Sequence, residues 1–575
     1  MAGTPGGDIN GDGIDDIVAA APRQDSPRGI EEVGAVALIL GGAAFRDHAR
    51  LYEAFDGGAD ATFFGVGAQD YAGEKLAVGD LDGDGKADLA IGAQQANDRG
   101  DPSSDEKNAT IYIVYGSDEF TGNIDLGNAN AVIARKDSMH VAAMTIGDVN
   151  NDGYADLIFS DILTDDVKFP PVAPLVDGEK RGINGAVYIF YGGKTRLEGN
   201  LDPATDADVI LMKAGGADMF QVFSIAVGDI DKSGKNDLAL GLPVEDGQLA
   251  GLDEAGQVQL WIDATRGGPD CTIYGGKKSD QIGGALAIGD IDGDGASDLI
   301  IGAPDALGPA DASGAGMVQT VFGRAVWPDD LDLFEDADIT FDLGEKARMG
   351  FKTGKALAVS DFNGDGIDDL AISSPRAFNT SGDNGWIHIV AGQRSFPGTV
   401  DLEKQADLII RAPEAQPAPA DPLASGQLGE TLAAGDFDAD GVIDMIAGAP
   451  MGVGNISGAK TNAGWTAVFL APIGNSLLFG ADACIDMPAV DVLGRVYHIK
   501  LCWQADLDFA LDLDSIGPGD LDFTPVIALE PESDYGLCLP SVEIIGVEAR
   551  YAFELTLTDV NAYIWSLDLG SFLIK

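Results

Sequence analysis

Residues Gly79–Ala93 read GDLDGDGKADLAIGA, with four aspartates inside a nine-residue span and an apolar run directly after them. At that spacing Asp80, Asp82, Asp84 and Asp88 repel one another unless a cation sits among them. Gly85 stands where the backbone must turn sharply. The pattern is not unique to this stretch. It opens again at Asp8, Asp148, Asp229, Asp290, Asp361 and Asp436, with 61 to 81 residues between successive copies. Seven copies at a regular period mean seven supersecondary units.

Aligned by position, the loops define a ligand set. Position 1 is Asp8, Asp80, Asp148, Asp229, Asp290, Asp361 or Asp436, and position 3 is Asn10, Asp82, Asn150, Asp231, Asp292, Asn363 or Asp438. Position 5 is Asp12, Asp84, Asp152, Ser233, Asp294, Asp365 or Asp440, and position 6 is glycine in every copy. Position 9 is Asp16, Asp88, Asp156, Asp237, Asp298, Asp369 or Asp444. Position 7 shares no side-chain chemistry: Ile14, Lys86, Tyr154, Lys235, Ala296, Ile367 and Val442. Such freedom is expected where only the backbone carbonyl is a ligand. Hard oxygens at positions 1, 3, 5, 7 and 9 suit Ca²⁺, which takes six to eight of them in a flexible shell. Up to seven structural calcium ions are therefore expected, with the weakest site at Ser233, where Lys232 and Lys235 add positive charge.

An EF-hand would need a bidentate Glu at position 12. Here that position is Ala19, Ile91, Phe159, Leu240, Ile301, Ile372 or Ala447, each in an apolar strand-like run. The loops are thus metal loops between two strands. A short strand precedes most of them (KLAVGD, SIAVGD, ALAIGD) and another follows (DLAIGA, DLALGL, DLIIGAP). A third strand such as GAVYIFYGG and a fourth such as ADVILM complete each unit. Four short strands per unit, seven times over, predict an all-β chain: a seven-bladed β-propeller with four-stranded blades over residues 1–475.

These residues resemble the FG-GAP repeat family, whose best-known member is the N-terminal propeller of integrin α subunits. The GAP element stands at Gly302-Ala303-Pro304 and Gly448-Ala449-Pro450, while Phe64-Gly65 keeps the FG element and Met349-Gly350 approximates it. The resemblance implies calcium loops on one face of the disc and ligand recognition on the other, although integrins carry calcium in fewer blades than the seven expected here.

Two regions depart from the repeat. Only MAGTPGG precedes Asp8, so the first blade lacks an inner strand. Loss of residues upstream, together with any secretion signal, is the preferred explanation; a strand donated from the C-terminal region is the alternative. Residues 476–575 carry no loop of this kind and contain two similar segments, CIDMPAVDVLGRVYHIKL from Cys484 and LCLPSVEIIGVEARYAFEL from Leu537. They predict a small all-β module with an internal duplication. One disulfide among Cys484, Cys502 and Cys538 is compatible with this spacing.

Composition narrows the function. Against 35 Lys and Arg stand 94 Asp and Glu, a formal charge of −59, which disfavours nucleic acid and anionic lipid as partners. No CxxC pair suggests zinc, and no apolar run is long enough to span a bilayer. Four histidines (His48, His140, His388, His498), with neither HExxH nor GxSxG, argue against an enzyme. His388 in the strand WIHIV reads as a packed residue. The favoured reading is a secreted or cell-surface, calcium-stabilised scaffold for binding or adhesion, with a protein or glycan partner on the face opposite the loops.

The alternatives are a propeller lectin, a structural subunit of a surface layer or filament, and, less favoured, a polysaccharide-degrading enzyme. Self-association through the first blade or the C-terminal module is also compatible. Long variable segments at Ala93–Thr110, Asp161–Asn184 and Met451–Gly464 are the candidate recognition loops. The tripeptide Arg99-Gly100-Asp101 lies in the first of these and carries little weight in a chain so rich in Gly and Asp.

Overall fold

A computed structural model describes residues 7–42, 59–94, 109–135, 139–162, 185–212, 220–246, 254–262, 268–307, 314–377, 385–411, 427–439 and 441–450, and the strands that follow. The chain divides into two units, Met1–Leu470 and Ala471–Lys575.

The first unit holds seven antiparallel, blade-like sheets in chain order. Blade 2 is typical. Its inner strand Ala72–Gly79 pairs with Asp88–Ala93, then Thr110–Val114, then the outer strand Ala131–Ala134. The loop between inner and second strands carries the aspartates, and Gly79 pairs with Asp88 at that end. In blades 2 to 7 the six-residue second strand is buried along its whole length. That is why these segments read as continuous apolar runs rather than alternating ones. The apolar clusters lie between adjacent blades: one joins Leu89 and Ile91 of blade 2 to Val36 and Phe63 of blade 1, and another joins Val258 of blade 4 to Ile301 of blade 5.

The first and last blades meet in the same way. Ile17 and Ile39 of blade 1 pack in one cluster with Ala433, Phe437 and Ile446 of blade 7. Two backbone hydrogen bonds cross this seam, from Asp15 to the Asp436 carbonyl at 3.2 Å and from Gly42 to the Phe437 carbonyl at 2.9 Å. Both have counterparts between other neighbours, for example Asp368 to Asp290 at 3.1 Å and Gln393 to Ile291 at 3.0 Å. In blade 1 the place of an inner strand is held by an isolated bridge between Gly7 and Asp16.

The blades also carry a strand that the repeat pattern does not announce. A short segment of the next blade adds in parallel to the outer edge: Gly122–Asp125 on Ala61–Phe64, Gly199–Leu201 on Ala131–Ala134, Asp330–Asp332 on Cys271–Tyr274, and Thr399–Asp401 on Ile339–Asp342. Each added segment runs into a short helical turn whose N-terminus an aspartate caps. Asp125, Asp202, Asp332 and Asp401 accept the backbone N–H two residues on. The added strand pairs an outer edge that would otherwise present bare N–H and C=O groups.

The second unit is also β. Arg495–Gln504 is the long strand of one sheet and Arg550–Asp559 of another, each paired with an antiparallel strand on both sides. Tyr497 lies on the first of these long strands and Tyr551 on the second. Cys484 and Cys502 fall at directly paired register positions.

Candidate metal loops

The nine-residue loops fold on themselves through their own aspartates. In all seven the glycine at position 6 donates its N–H to the position-1 carboxylate, at 2.7 to 3.0 Å. That glycine has φ between +81° and +91° in every copy, a region open to glycine and strained for other residues. At position 5, Asp12, Asp84, Asp152, Asp294 and Asp365 accept the N–H of position 7 at 2.7 to 3.0 Å.

Position 9 anchors the loop to the blade. The seven aspartates there are at most 2% exposed. In six of the loops one oxygen accepts the N–H of position 2, as from Leu81 to Asp88 at 2.8 Å and Ile291 to Asp298 at 3.0 Å; in loop 6 the Phe362 N–H goes instead to the Ser360 carbonyl. In five loops the aspartate also accepts an N–H just beyond the third strand, as from Gly116 to Asp88 at 2.8 Å and Gly323 to Asp298 at 2.9 Å, whereas Asp237 Oδ1 is buried without a hydrogen-bond partner. Burial pushes Asp88, Asp237, Asp298 and Asp369 up to about 7, and Asp16 and Asp156 to about 6, against the pull of these amides. Nearby loop carboxylates add to the rise at Asp88 and Asp298. A divalent cation among them reverses that balance, because it favours the charged form.

Oxygens able to share one ion converge in four loops: Asp80, Asp82 and Asp88; Asp229, Asp231 and Asp237; Asp290, Asp292 and Asp294; Asp436, Asp438 and Asp444, each set within 4.8 Å. The other three loops have an amide at position 3 (Asn10, Asn150, Asn363), which supplies a carbonyl oxygen in place of a carboxylate. Among the described residues, the acidic groups close enough to share an ion all belong to these loops. The donor set is all oxygen, which fits a hard cation. Asp440 lies outside the described residues.

Sequence reading missed three features. Position 4 is left-handed in every loop, with φ from +60° to +81°, although Asn151, Lys232 and Ala439 replace glycine there. Lys232 reaches the next loop and donates to the Asp294 carbonyl. Arg196, from blade 3, pairs with Asp82 and Asp84 of loop 2, its Nη2 standing 3.1 Å from Asp84 Oδ2, and its guanidinium lies 4.5 Å over the Tyr115 ring. A contact between residues 112 apart leaves no periodic trace in the chain.

Antiparallel pairing puts the second-to-third-strand segments at the end of the blade opposite the loops. Most of the candidate recognition segments, at 95–108 and 163–184, lie outside the described residues, as does Arg99-Gly100-Asp101. His388 is fully buried, with Nε2 3.4 Å from Glu403, as its strand context implied. No helix among the described residues is long and apolar enough to cross a membrane.

A β-propeller whose blades are joined through acidic oxygen loops is a repeat scaffold, and comparison with known proteins agrees. The FG-GAP repeat model matches residues 2–39, 72–114, 282–321 and 353–390. The chain thus carries FG-GAP repeats in four places. Phosphatidylinositol-glycan-specific phospholipase D of Rattus norvegicus is 30% identical over 178 residues, covering 30% of this chain and 19% of that protein. Integrin alpha-V of Gallus gallus is 27% identical over 240 residues, 41% of this chain and 19% of that protein. The chain thus spans about a fifth of the length of these relatives. One of these names is an enzyme's and the other is not. Among solved structures, the Dos1 propeller aligns with 81% of this chain and 88% of its own at 10% identity and TM-score 0.34. The exotype rhamnogalacturonan lyase YesX aligns with 84% and 70% at 12% identity and TM-score 0.34.

Proposed function

We propose that the chain is a calcium-stabilised binding scaffold, secreted or displayed on a cell surface, that holds a protein or glycan on the face opposite its loops. The observation that carries this is the recurrence, in all seven blades, of one self-bonded loop with an acidic position 1 and a buried aspartate at position 9. Four of these loops already bring three carboxylates within reach of one ion. Their number and regularity support a structural ion, because a catalytic metal needs one site with an open position rather than a ring of equivalent ones. Millimolar calcium with site dissociation constants of about 10⁻⁴ to 10⁻³ M contributes roughly 0.4–1.4 kcal/mol per site, which suits a calcium-rich compartment. Integrin relatives support the surface setting and the binding role.

The test is equilibrium dialysis against ⁴⁵Ca²⁺ together with melts in calcium and in EDTA. Six or seven ions bound and a large reversible loss of melting temperature in EDTA are expected. Fewer than two ions and an unchanged melt would sink the proposal. The phospholipase D relatives favour one second reading, a propeller that serves an enzyme's substrate recognition. Binding of a phosphatidylinositol-glycan-anchored protein by this chain would establish it.

A further inference from the structure

We propose that the loops take up calcium as neighbours, each filled loop favouring the one bonded to it; this rests on the calcium reading above. Position 8 of each loop sits between two ligands, the carbonyl of position 7 and the carboxylate of position 9. Its N–H does not stay within the loop. In five of the seven loops it donates to the carbonyl of position 1, itself a ligand residue, in the preceding loop, four of them in direct succession of blades: Ala87 to Asp8 at 2.7 Å, Ala155 to Asp80 at 3.2 Å, Ser297 to Asp229 at 3.1 Å, Asp368 to Asp290 at 3.1 Å. Ile443 of loop 7 has no such bond among the described residues, so the series is open between loops 6 and 7. Asp15 makes the same bond to Asp436, so the series runs on from the last loop to the first.

Between loops 3 and 4 a side chain takes over. Asn236 Nδ2 donates to the Asp148 carbonyl at 2.9 Å, and the Asn236 N–H donates to Asn151 Oδ1 at 2.7 Å. A packing contact runs alongside. The position-7 side chain covers position 4 of the preceding loop, so closely that a Cβ on Gly83 would lie 2.4 Å from the Tyr154 ring and one on Gly293 3.0 Å from Ile367.

An empty loop holds three or four carboxylates together, and its backbone is correspondingly costly to order. An ion that fixes positions 7 to 9 of one loop also fixes the position-1 residue of its neighbour. The neighbour then binds with part of its ordering already done, which is positive coupling through conformational entropy. Repulsion between ions acts the other way but is screened beyond about 8 Å at 0.15 M ionic strength.

Tyr154 belongs to position 7 of loop 3 and packs its ring over Gly83 of loop 2, so the terbium luminescence lost in Tyr154→Phe reports ion uptake in loops 2 and 3. Terbium is titrated in 0.15 M salt into the full chain, into a variant with loop 4 silenced (Asp229→Asn with Asp231→Asn), and into one with distant loop 6 silenced (Asp361→Asn with Asp365→Asn). Silencing loop 4 is expected to weaken the Tyr154 signal about fivefold or more, the ordinary scale of site-to-site coupling, and silencing loop 6 less than twofold. Asn236→Ala, which removes no ligand, is expected to reproduce the loop 4 effect. Equal effects from loops 4 and 6, or no effect from either, overturn the coupling while leaving calcium binding intact; so does an unchanged titration in Asn236→Ala. If neither terbium nor calcium binds, the calcium reading fails and the coupling fails with it.

Discussion

Asp15 and Asp436 clasp each other twice: the Asp15 N–H donates to the Asp436 carbonyl at 3.2 Å, and the Asp15 carboxylate accepts the Asp436 N–H at 2.9 Å. The two residues are 421 positions apart, so this pair joins the beginning of the repeat array to its end. Asp15→Ala removes the acceptor and leaves the Asp436 amide without it. The expected cost is about 1–3 kcal/mol. Asp15→Asn keeps an acceptor oxygen and is expected to cost less. Thermal melts in saturating calcium compare the two, and equal stability of Asp15→Ala and the parent protein would remove the seam from the account.

Position 9 is expected to matter even without metal. Asp298→Ala deprives the Ile291 and Gly323 amides of their acceptor, at about 2–4 kcal/mol for one buried and one half-buried donor. Asp294→Ala, at exposed position 5, loses chiefly a ligand and a repelling charge. Denaturant unfolding in EDTA should therefore show a large loss for the first and little change for the second. A similar result for both would mean that position 9 is only a ligand.

Ala439 occupies a left-handed backbone position, φ +61°, that most of the other loops give to glycine. A left-handed conformation costs a residue with a Cβ roughly 1–2 kcal/mol. Ala439→Gly should then stabilise the protein by about 1 kcal/mol after the greater freedom of the unfolded chain is allowed for. Differential scanning calorimetry would show a higher melting temperature, and a lower one would contradict the backbone argument.

Asp280 lies away from the metal loops, 7% exposed, with Oδ1 lacking a hydrogen-bond partner. Burial raises its pKa to about 6, and Lys277 only partly offsets this. A carboxyl with a folded pKa above its unfolded value favours folding when protonated and penalises it once ionised. The penalty is absent below about pH 4 and fully present above pH 6. Asp280→Asn removes it, so the variant should be more stable by about 1–3 kcal/mol at pH 7.5, with the gain fading as the pH falls toward 4. A gain that does not change with pH would assign it to packing instead.

Much of this molecule is readable from spacing. Position 6 glycine, the acidic positions and the apolar second strands repeat because each blade poses the same local problem, and a seven-fold pattern averages out the exceptions. The invariance of position 9 had a cause that the sequence hides. Asp88 is buried at the strand start and holds amides from two other segments, so it is a structural anchor whether or not it meets an ion. Arg196 on Asp84 and Asn236 on Asp148 were illegible because contacts between blades join residues on different repeats, where no period applies. The parallel edge strands were missed for a related reason. A segment such as Gly122–Asp125 is too short and polar to read as a strand until the edge that receives it is known.

Those edge strands mean that the unit of sequence and the unit of architecture are out of phase. A cut placed between the outer strand of blade 1 and the inner strand of blade 2 looks clean on the repeat, yet it separates Ala61–Phe64 from Gly122–Asp125, which lies inside the following repeat. Excising, duplicating or transplanting one blade would therefore strip a strand from its neighbour and leave a raw edge on a different sheet. The count of blades is protected by this overlap: a gain or loss of one repeat must mend two sheets at once, and a fragment meant to stand alone has to borrow beyond its own boundary.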